Sequence, residues 1–375
     1  MAGIYIHIPF CKQKCHYCNF YSVASSKYRA AFINALLIEI KARSKYLVSE
    51  EIKTIYFGGG TPSMLSMHEI NKIIDTLKAY FIINTDVEIT LEANPDDVNE
   101  EKLKSLKNET PINRLSIGIQ SFFDDDLLYL NRVHNSNQAV KSVKEVQKAG
   151  FDNLTIDLIY GIPTLTNHKW KENLNRFFDF GLPHLSSYAL TIEPKTVLNT
   201  LINKGKMPAV DEELSIGHFK LLLEEAENHN YIHYEISNFA KEGYYSKHNS
   251  IYWLGGHYLG FGPSAHSFNG KSRQWNVSNM KRYIEADILE KFVEEKEVLT
   301  TDQQYNEYVM TSIRTSWGCD VEHIKNVFGE RYKKHFDDAV KTIIVEEKLK
   351  RVRSQYFLTS KGKLFADAIA SELFV

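Results

Sequence analysis

The chain has 375 residues, 43% hydrophobic and 25% charged, with a formal net charge of -2. That balance excludes the visibly basic design of a protein built chiefly to bind nucleic acid, and no run reaches the ~18 consecutive apolar residues of a membrane-spanning helix. The length predicts one large domain and a smaller one. The first residues lack the basic region, apolar run and small-residue cleavage site of a secretory signal. With only four cysteines, a disulfide framework is not expected, and a reducing cytoplasm is the expected compartment.

In chain order, β-rich runs alternate with helical periodicity. The strand candidates are IYIHI after Gly3, KTIYFGG from Lys53, VEITLEA from Val87, RLSIGIQ from Arg114, NLTIDLIYG from Asn153 and LSSYALTI from Leu185. Between them lie amphipathic patterns such as HEINKIIDTLKAY and NQAVKSVKEVQKAG, the second closed by a C-capping Gly150. Such alternation predicts right-handed crossovers and a parallel sheet. The units are too few for an eight-unit barrel, so a partial barrel is expected. After DEELSIGHFKLLLEEAENH the alternation fades, and Tyr231–Asn276 is rich in aromatic residues, Gly and His. A helical stretch over 278–290 follows. The tail from Val298 reads as helices with short strands around Leu349–Leu358, closed by the helical pattern LTSKGKLFADAIASELF. It is expected to form a separate, mainly helical domain of winged-helix type.

Three of the four cysteines, Cys11, Cys15 and Cys18, fall within CKQKCHYC directly after the first strand. Clustered thiols in a reducing compartment bind metal or do redox chemistry. Iron–sulfur cubanes normally take four cysteines, so three thiolates would leave one iron open. The alternative is a tetrahedral zinc site with His7 or His16 as fourth ligand. Cys319 stands alone.

Further motifs fall at strand ends, where a β/α barrel gathers its functional residues. GGGTP (Gly58–Pro62) follows the second strand, and its glycines permit close backbone approach to a ligand. LEANPDD places Glu92 at the end of the third strand, GIQSF places Gln120 at the end of the fourth, and LNRVHN places Arg132 just beyond. Asp157 lies within the otherwise apolar fifth strand, where a charge needs a partner or a function. Ala189 sits in the sixth. Each residue taken singly fits a cap or a surface position; together they mark one rim.

The C-x3-C-x2-C spacing, with Tyr17 before the last cysteine, resembles the signature of radical S-adenosylmethionine (SAM) proteins. GGGTPS, LEANP, R-x-S-x-G-x-Q-S-F and L-x-R-x-H extend the resemblance over nearly the whole chain, to the HemN/HemW group of coproporphyrinogen dehydrogenase-like proteins. The resemblance implies a partial (β/α)6 radical SAM core over 1–235, a connecting region over 236–295 and a HemN-like C-terminal domain over 296–375. It implies a [4Fe-4S] cluster on Cys11, Cys15 and Cys18. It assigns SAM contacts to Tyr5, Tyr17, Gly59, Gly60, Thr61, Glu92, Gln120, Arg132, Asp157 and Ala189. Arg132 would suit the SAM carboxylate, because a guanidinium matches it bidentately.

Phe20 separates two branches of that group. The porphyrinogen-decarboxylating branch carries a further cysteine two places after the third and an N-terminal extension. Here Phe20 stands in that place, and Tyr5 lies almost at the start. Both departures resemble the branch regarded as haem chaperones, which implies haem as ligand, haem-accepting respiratory proteins as partners and peripheral contact with the cytoplasmic membrane. KHNSIYW, with His248, Asn249, Tyr252 and Trp253, fits the H-N-x-x-Y-W motif of that branch. A neutral imidazole is a good axial haem ligand, which makes His248 the haem candidate and His266 of GFGPSAHSF a weaker one. The plainer reading of His248 is a hydrogen-bonded histidine in an aromatic core. A porphyrinogen decarboxylase, or a radical SAM enzyme on another substrate, remains as the alternative function.

Overall fold

The computed structural model describes residues 1–47 and 50–375. Strands β1 (Ala2–Ile8), β2 (Glu51–Gly59), β3 (Ile82–Ala93), β4 (Arg114–Gln120), β5 (Leu154–Tyr160) and β6 (His184–Ala189) pair in chain order, each parallel to the next. Helices Arg29–Ala42, Met67–Tyr80, Glu100–Glu109, Ser136–Lys148 and Asn167–Asp179 lie within the crossovers. Their starts are encoded locally. Ser66 and Asn135 each close a capping box with the residue three positions on, satisfying N–H groups that the first turn leaves free. The third strand begins at Ile82, before the expected Val87, because Ile82 and Ile83 pair with Glu51 and Ile52 at the start of β2.

The sheet does not stop at six strands. β8 (Asn238–Ala240) pairs antiparallel with β6, and β7 (Ile232–Glu235) pairs antiparallel with β8 as the outermost strand. On the opposite flank β9 (His257–Phe261) lies parallel to β1, and β10 (His266–Phe268), β11 (Ser272–Asn276) and β12 (Val293–Val298) continue antiparallel. The twelve-stranded order is β12-β11-β10-β9-β1-β2-β3-β4-β5-β6-β8-β7. Residues 236–295 are therefore hydrogen-bonded into the main sheet, and one apolar core runs from Ala2 to Phe292. A second core runs from Tyr305 to Leu373. It is built by helices Thr301–Ser312, Val321–Phe328 and Glu330–Val345 with β13 (Cys319–Asp320), β14 (Leu349–Val352) and β15 (Gln355–Leu358). Those three strands form their own antiparallel sheet, and the order of elements is that of a winged helix.

A buried cation ties the added flank to the barrel. Arg43 is fully enclosed and donates to Glu39, the Gly260 carbonyl, Asn276, Ser267 and Gln274. Glu39 in turn accepts from the Gly262 N–H, Asn276 and the Tyr283 hydroxyl. A buried ion pair is tolerated when most of its remaining donors and acceptors are satisfied in this way; among the described residues Arg43 Nε alone of that guanidinium lacks a partner. Among the described residues no helix is long and apolar enough to cross a membrane.

Candidate functional site

Side chains at alternate positions of a strand share a face, and in β1–β6 one face looks into the barrel. Arg114, Ser116, Gly118 and Gln120 of β4 therefore point the same way, as do Thr155, Asp157 and Ile159 of β5. The Ser116 hydroxyl donates to Asp157 at 3.3 Å, which joins the two rows. At the C-terminal end of the barrel the rows open into a cavity of about 400 Å³.

The cysteine loop forms one wall of this cavity, and its ends are fastened. The Cys11 N–H donates to the Val23 carbonyl at 3.1 Å, and the Val23 N–H donates to the Pro9 carbonyl at 2.7 Å. The loop between is clasped by the turn that closes the short helix Asp124–Tyr129. The His16 N–H donates to the Leu130 carbonyl at 3.1 Å and Asn131 Nδ2 donates to the Lys14 carbonyl at 2.9 Å. Cys11, Cys15 and Cys18 all line the cavity. Burial pushes the thiols of Cys11 and Cys18 up, opposed at Cys11 by Thr61 and Ser22 and at Cys18 by the Phe20 backbone. Binding iron would reverse that, because a coordinating thiol is deprotonated.

The zinc alternative loses its fourth ligand. His7 and His16 are both turned away from the cavity lining. The Nε2–H of His7 donates to the Tyr21 carbonyl at 2.8 Å, and His16 Nδ1 lies 3.3 Å from the Tyr129 carbonyl. Among the described residues no three His, Cys, Asp or Glu side chains converge as ligands of a single ion. The three thiols share a wall instead, which suits a cluster that takes each sulfur on a different iron.

Beside the thiols runs the glycine loop at the end of β2. The Gly60 N–H donates to the Ile8 carbonyl at 2.8 Å and the Thr61 N–H donates to the Phe10 carbonyl at 2.7 Å. Gly59 has φ +107, and a Cβ there would come within 2.5 Å of the His7 ring. A Cβ on Gly60 would lie 2.7 Å from the Phe10 carbonyl oxygen and 3.0 Å from Cys11 Sγ. Only glycine permits this backbone to run against the cluster loop.

Arg132 joins the two halves. Its guanidinium donates to Asn94 Oδ1 at 2.6 Å, to the Gly118 carbonyl at 2.8 Å and to Cys15 Sγ at 3.3 Å. Asn94 Nδ2 then donates to Thr61 Oγ1 at 3.1 Å. Gln120 has φ +67, and its Nε2 occupies space that a Cβ on Gly118 would invade at 2.8 Å. Glu92 accepts from the Tyr56 hydroxyl at 2.8 Å and from the Gly59 N–H at 3.1 Å. Burial raises its carboxyl to about 7 and that of Asp157 to about 6, against hydrogen bonds that favour the charged forms. Two buried carboxyls without a cation of their own suit a ligand presenting an ammonium and hydroxyls.

All the expected site residues of the rim line this cavity: Tyr17, Gly59, Gly60, Thr61, Glu92, Gln120, Arg132, Asp157 and Ala189. Tyr5 does not. It lies one layer deeper, its hydroxyl donating to His7 Nδ1 at 3.3 Å and its ring stacked on Tyr56. Asn94, Ser116, Gly118 and Tyr188 line the cavity too and were not singled out from sequence. Gly118 had a signal, because a glycine inside a strand marks close approach. Phe20 stands at the mouth, 65% exposed.

His248 is not at this cavity. It lies on the short helix Lys247–Trp253, whose first N–H groups donate to Glu88 of β3. That helix packs against β1, β2 and β9 and closes the barrel from beneath. His248 is 2% exposed, with Nδ1 2.7 Å from Thr54 Oγ1 and Nε2 2.9 Å from the Tyr252 hydroxyl. Its ring stacks on Tyr56 at 5.0 Å, and burial lowers its pKa to about 3. Both nitrogens are engaged, so ligation of iron would require release of one of these bonds. His266 is exposed beside Trp275 on β10–β11. His248→Ala would open a cavity and strand two hydroxyls, so it should lower unfolding stability by roughly 2–4 kcal/mol. Urea unfolding checks this, with Tyr252→Phe expected to cost about 1 kcal/mol.

Known proteins are similar to this chain in sequence and in fold. Residues 5–177 match the model of the Radical SAM superfamily. The chain is 35% identical to the haem chaperone HemW of Bacillus subtilis (strain 168), over 98% of each chain. It is 33% identical to the haem chaperone HemW of Lactococcus lactis, covering 96% of this chain and 93% of that one. Coproporphyrinogen III oxidase (HemN) of Escherichia coli, described as a radical SAM enzyme, superposes with a TM-score of 0.85 at 21% identity, covering 100% of this chain and 90% of that one. The HemN likeness speaks for the fold, which is the expected radical SAM barrel with its smaller C-terminal domain. The chain belongs to the HemW family of the radical SAM superfamily.

Proposed function

We propose that the protein is a haem chaperone, which binds haem and passes it to acceptor proteins while its barrel holds a [4Fe-4S] cluster and SAM. The observation that carries this is the collinear likeness, end to end, to proteins named haem chaperones. The residues present fit the cofactors. Cys11, Cys15 and Cys18 would hold the cluster. Gly59, Gly60 and Thr61 would receive the amino-acid end of SAM, with Arg132 for its carboxylate and Glu92 and Asp157 for amine and hydroxyl groups. When bound, an open iron of such a cluster supplies a coordination position and one-electron chemistry. The chain itself supplies a recessed pocket, a fixed cation and two buried carboxyls.

Respiratory haem proteins as acceptors and a passing contact with the cytoplasmic membrane belong to the same proposal. Phe20 supports the carrier over a porphyrinogen decarboxylase, since an exposed aromatic side chain stands where that enzyme branch has a sulfur.

Titration of haem into anaerobically reconstituted protein is the test. A saturable Soret band at one haem per chain, followed by transfer to an apo-cytochrome, is the expected result. No haem band with a fully loaded cluster, together with SAM-dependent conversion of coproporphyrinogen III, would replace the carrier by the decarboxylase.

A further inference from the structure

A second cavity, of about 330 Å³, lies where the β7–β8 hairpin meets the C-terminal domain. The junction is a backbone contact. Glu235 forms an isolated antiparallel bridge with Thr315, and the Ser316 N–H donates to the Tyr234 carbonyl at 2.9 Å. Arg314, Lys350 and Lys363 line the walls, with Phe357 and Leu358 as apolar floor.

Among the described residues that line this cavity, three cations stand against a single carboxyl, that of Glu235. Lys363 Nζ faces Nδ1 of His233 at 2.7 Å. That nitrogen is an acceptor, because the Nε2–H donates to the Ile236 carbonyl at 3.0 Å. Burial, and then Lys350, bring the Lys363 ammonium down to about 8, so it is charged at neutral pH. Arg314 pairs with Asp367, whose side chain is 86% exposed, and a pair so open to water is weak. The Arg314 Nε is buried and unpartnered among the described residues. The carboxyl on the wall is Glu235. It already accepts from Asn238 and the Ser237 N–H, and burial raises it to about 7. Three cations therefore face one carboxyl that is itself partly protonated at neutral pH.

We propose that this cavity is a carboxylate-binding site, in which Lys350, Lys363 and Arg314 take the oxyanion and Phe357 and Leu358 take the apolar body of the ligand. Arginine offers a bidentate fork and lysine a point charge, the combination that suits carboxylates. Two sources carry that chemistry: a free polycarboxylate, and the propionate side chains of a porphyrin. The second source rests on the haem-carrier proposal above.

The test titrates citrate, haem and haem dimethyl ester into the full chain and into the double variant Lys350→Met/Lys363→Met. Methionine keeps the apolar stems and removes the charges. Thermal unfolding and iron content identify a variant that is folded and loaded; Lys350→Gln, on the exposed strand, repeats the test if the double variant is not. The ligand that occupies the site should bind the variant about tenfold or more weakly. If that ligand is the porphyrin, the ester should bind wild type as weakly as haem binds the variant. Citrate and haem affinities within twofold between wild type and variant would overturn the inference while leaving haem carriage standing. Lysine-dependent citrate binding with no haem binding at all would sustain the site and remove the carrier.

Discussion

Cys15→Ser is expected to strip iron and sulfide from the protein together, with far-UV circular dichroism and thermal unfolding near wild type. The cause is geometric. Cys15 lies in a loop at the barrel rim, outside the apolar core that runs from Ala2 to Phe292, and its carbonyl accepts only a local turn bond from the Cys18 N–H at 3.3 Å. Its sulfur is partly exposed to the cavity and accepts from Arg132 at 3.3 Å. A serine oxygen keeps that hydrogen bond but is a poor substitute for thiolate, the ligand these clusters take. The loop stays in place because the Cys11–Val23 and His16–Leu130 backbone bonds do not involve the side chain. Iron and acid-labile sulfide assays after anaerobic reconstitution give the outcome; unchanged iron would mean that Cys15 is no ligand.

The second large effect belongs to Arg132. Arg132→Met should weaken SAM binding about a hundredfold, because truncating one partner of a buried charge pair costs roughly 2–5 kcal/mol. Part of that loss is local. Without the guanidinium, Asn94 Oδ1 and the Gly118 carbonyl lose their donor, and Asn94 in turn positions Thr61. Arg132→Lys separates the contributions, since an ammonium restores the charge but not the fork. It should recover a minority of the affinity. Equilibrium binding of SAM to the reconstituted variants checks both, and a methionine variant with wild-type affinity would displace Arg132 from the carboxylate.

Much of the site was legible because its signals are short-range. Three cysteines in CKQKCHYC point to a candidate ligand loop once the other motifs are read with them, and glycine at 59 and 60 answers to a close approach that a Cβ would block at 2.5 and 2.7 Å. In RLSIGIQ the polar and small residues alternate with Leu115, Ile117 and Ile119, so the lumen-facing row could be read from the period of a strand. What was not legible depends on partners far along the chain. His248 is held by Thr54, 194 residues away, and by a barrel floor that exists only once β1, β2 and β9 are side by side. Its motif marks a functional helix equally well from sequence. The strands β7 to β12 also escaped, since most are too short for periodicity to accumulate; β8 and β10 have three residues each. They are fixed by long-range contacts such as those of Arg43 with Gly260, Ser267, Gln274 and Asn276. Tyr5, which the resemblance alone assigned to SAM, lies one layer below the cavity lining.

Electron paramagnetic resonance of the reduced, anaerobically reconstituted protein, recorded with and without SAM, tests the central claim most directly. A signal from a single four-iron cluster per chain, whose g values move when SAM is added, is the predicted result. Zinc in place of iron, or a cluster signal that SAM leaves unmoved, would contradict it.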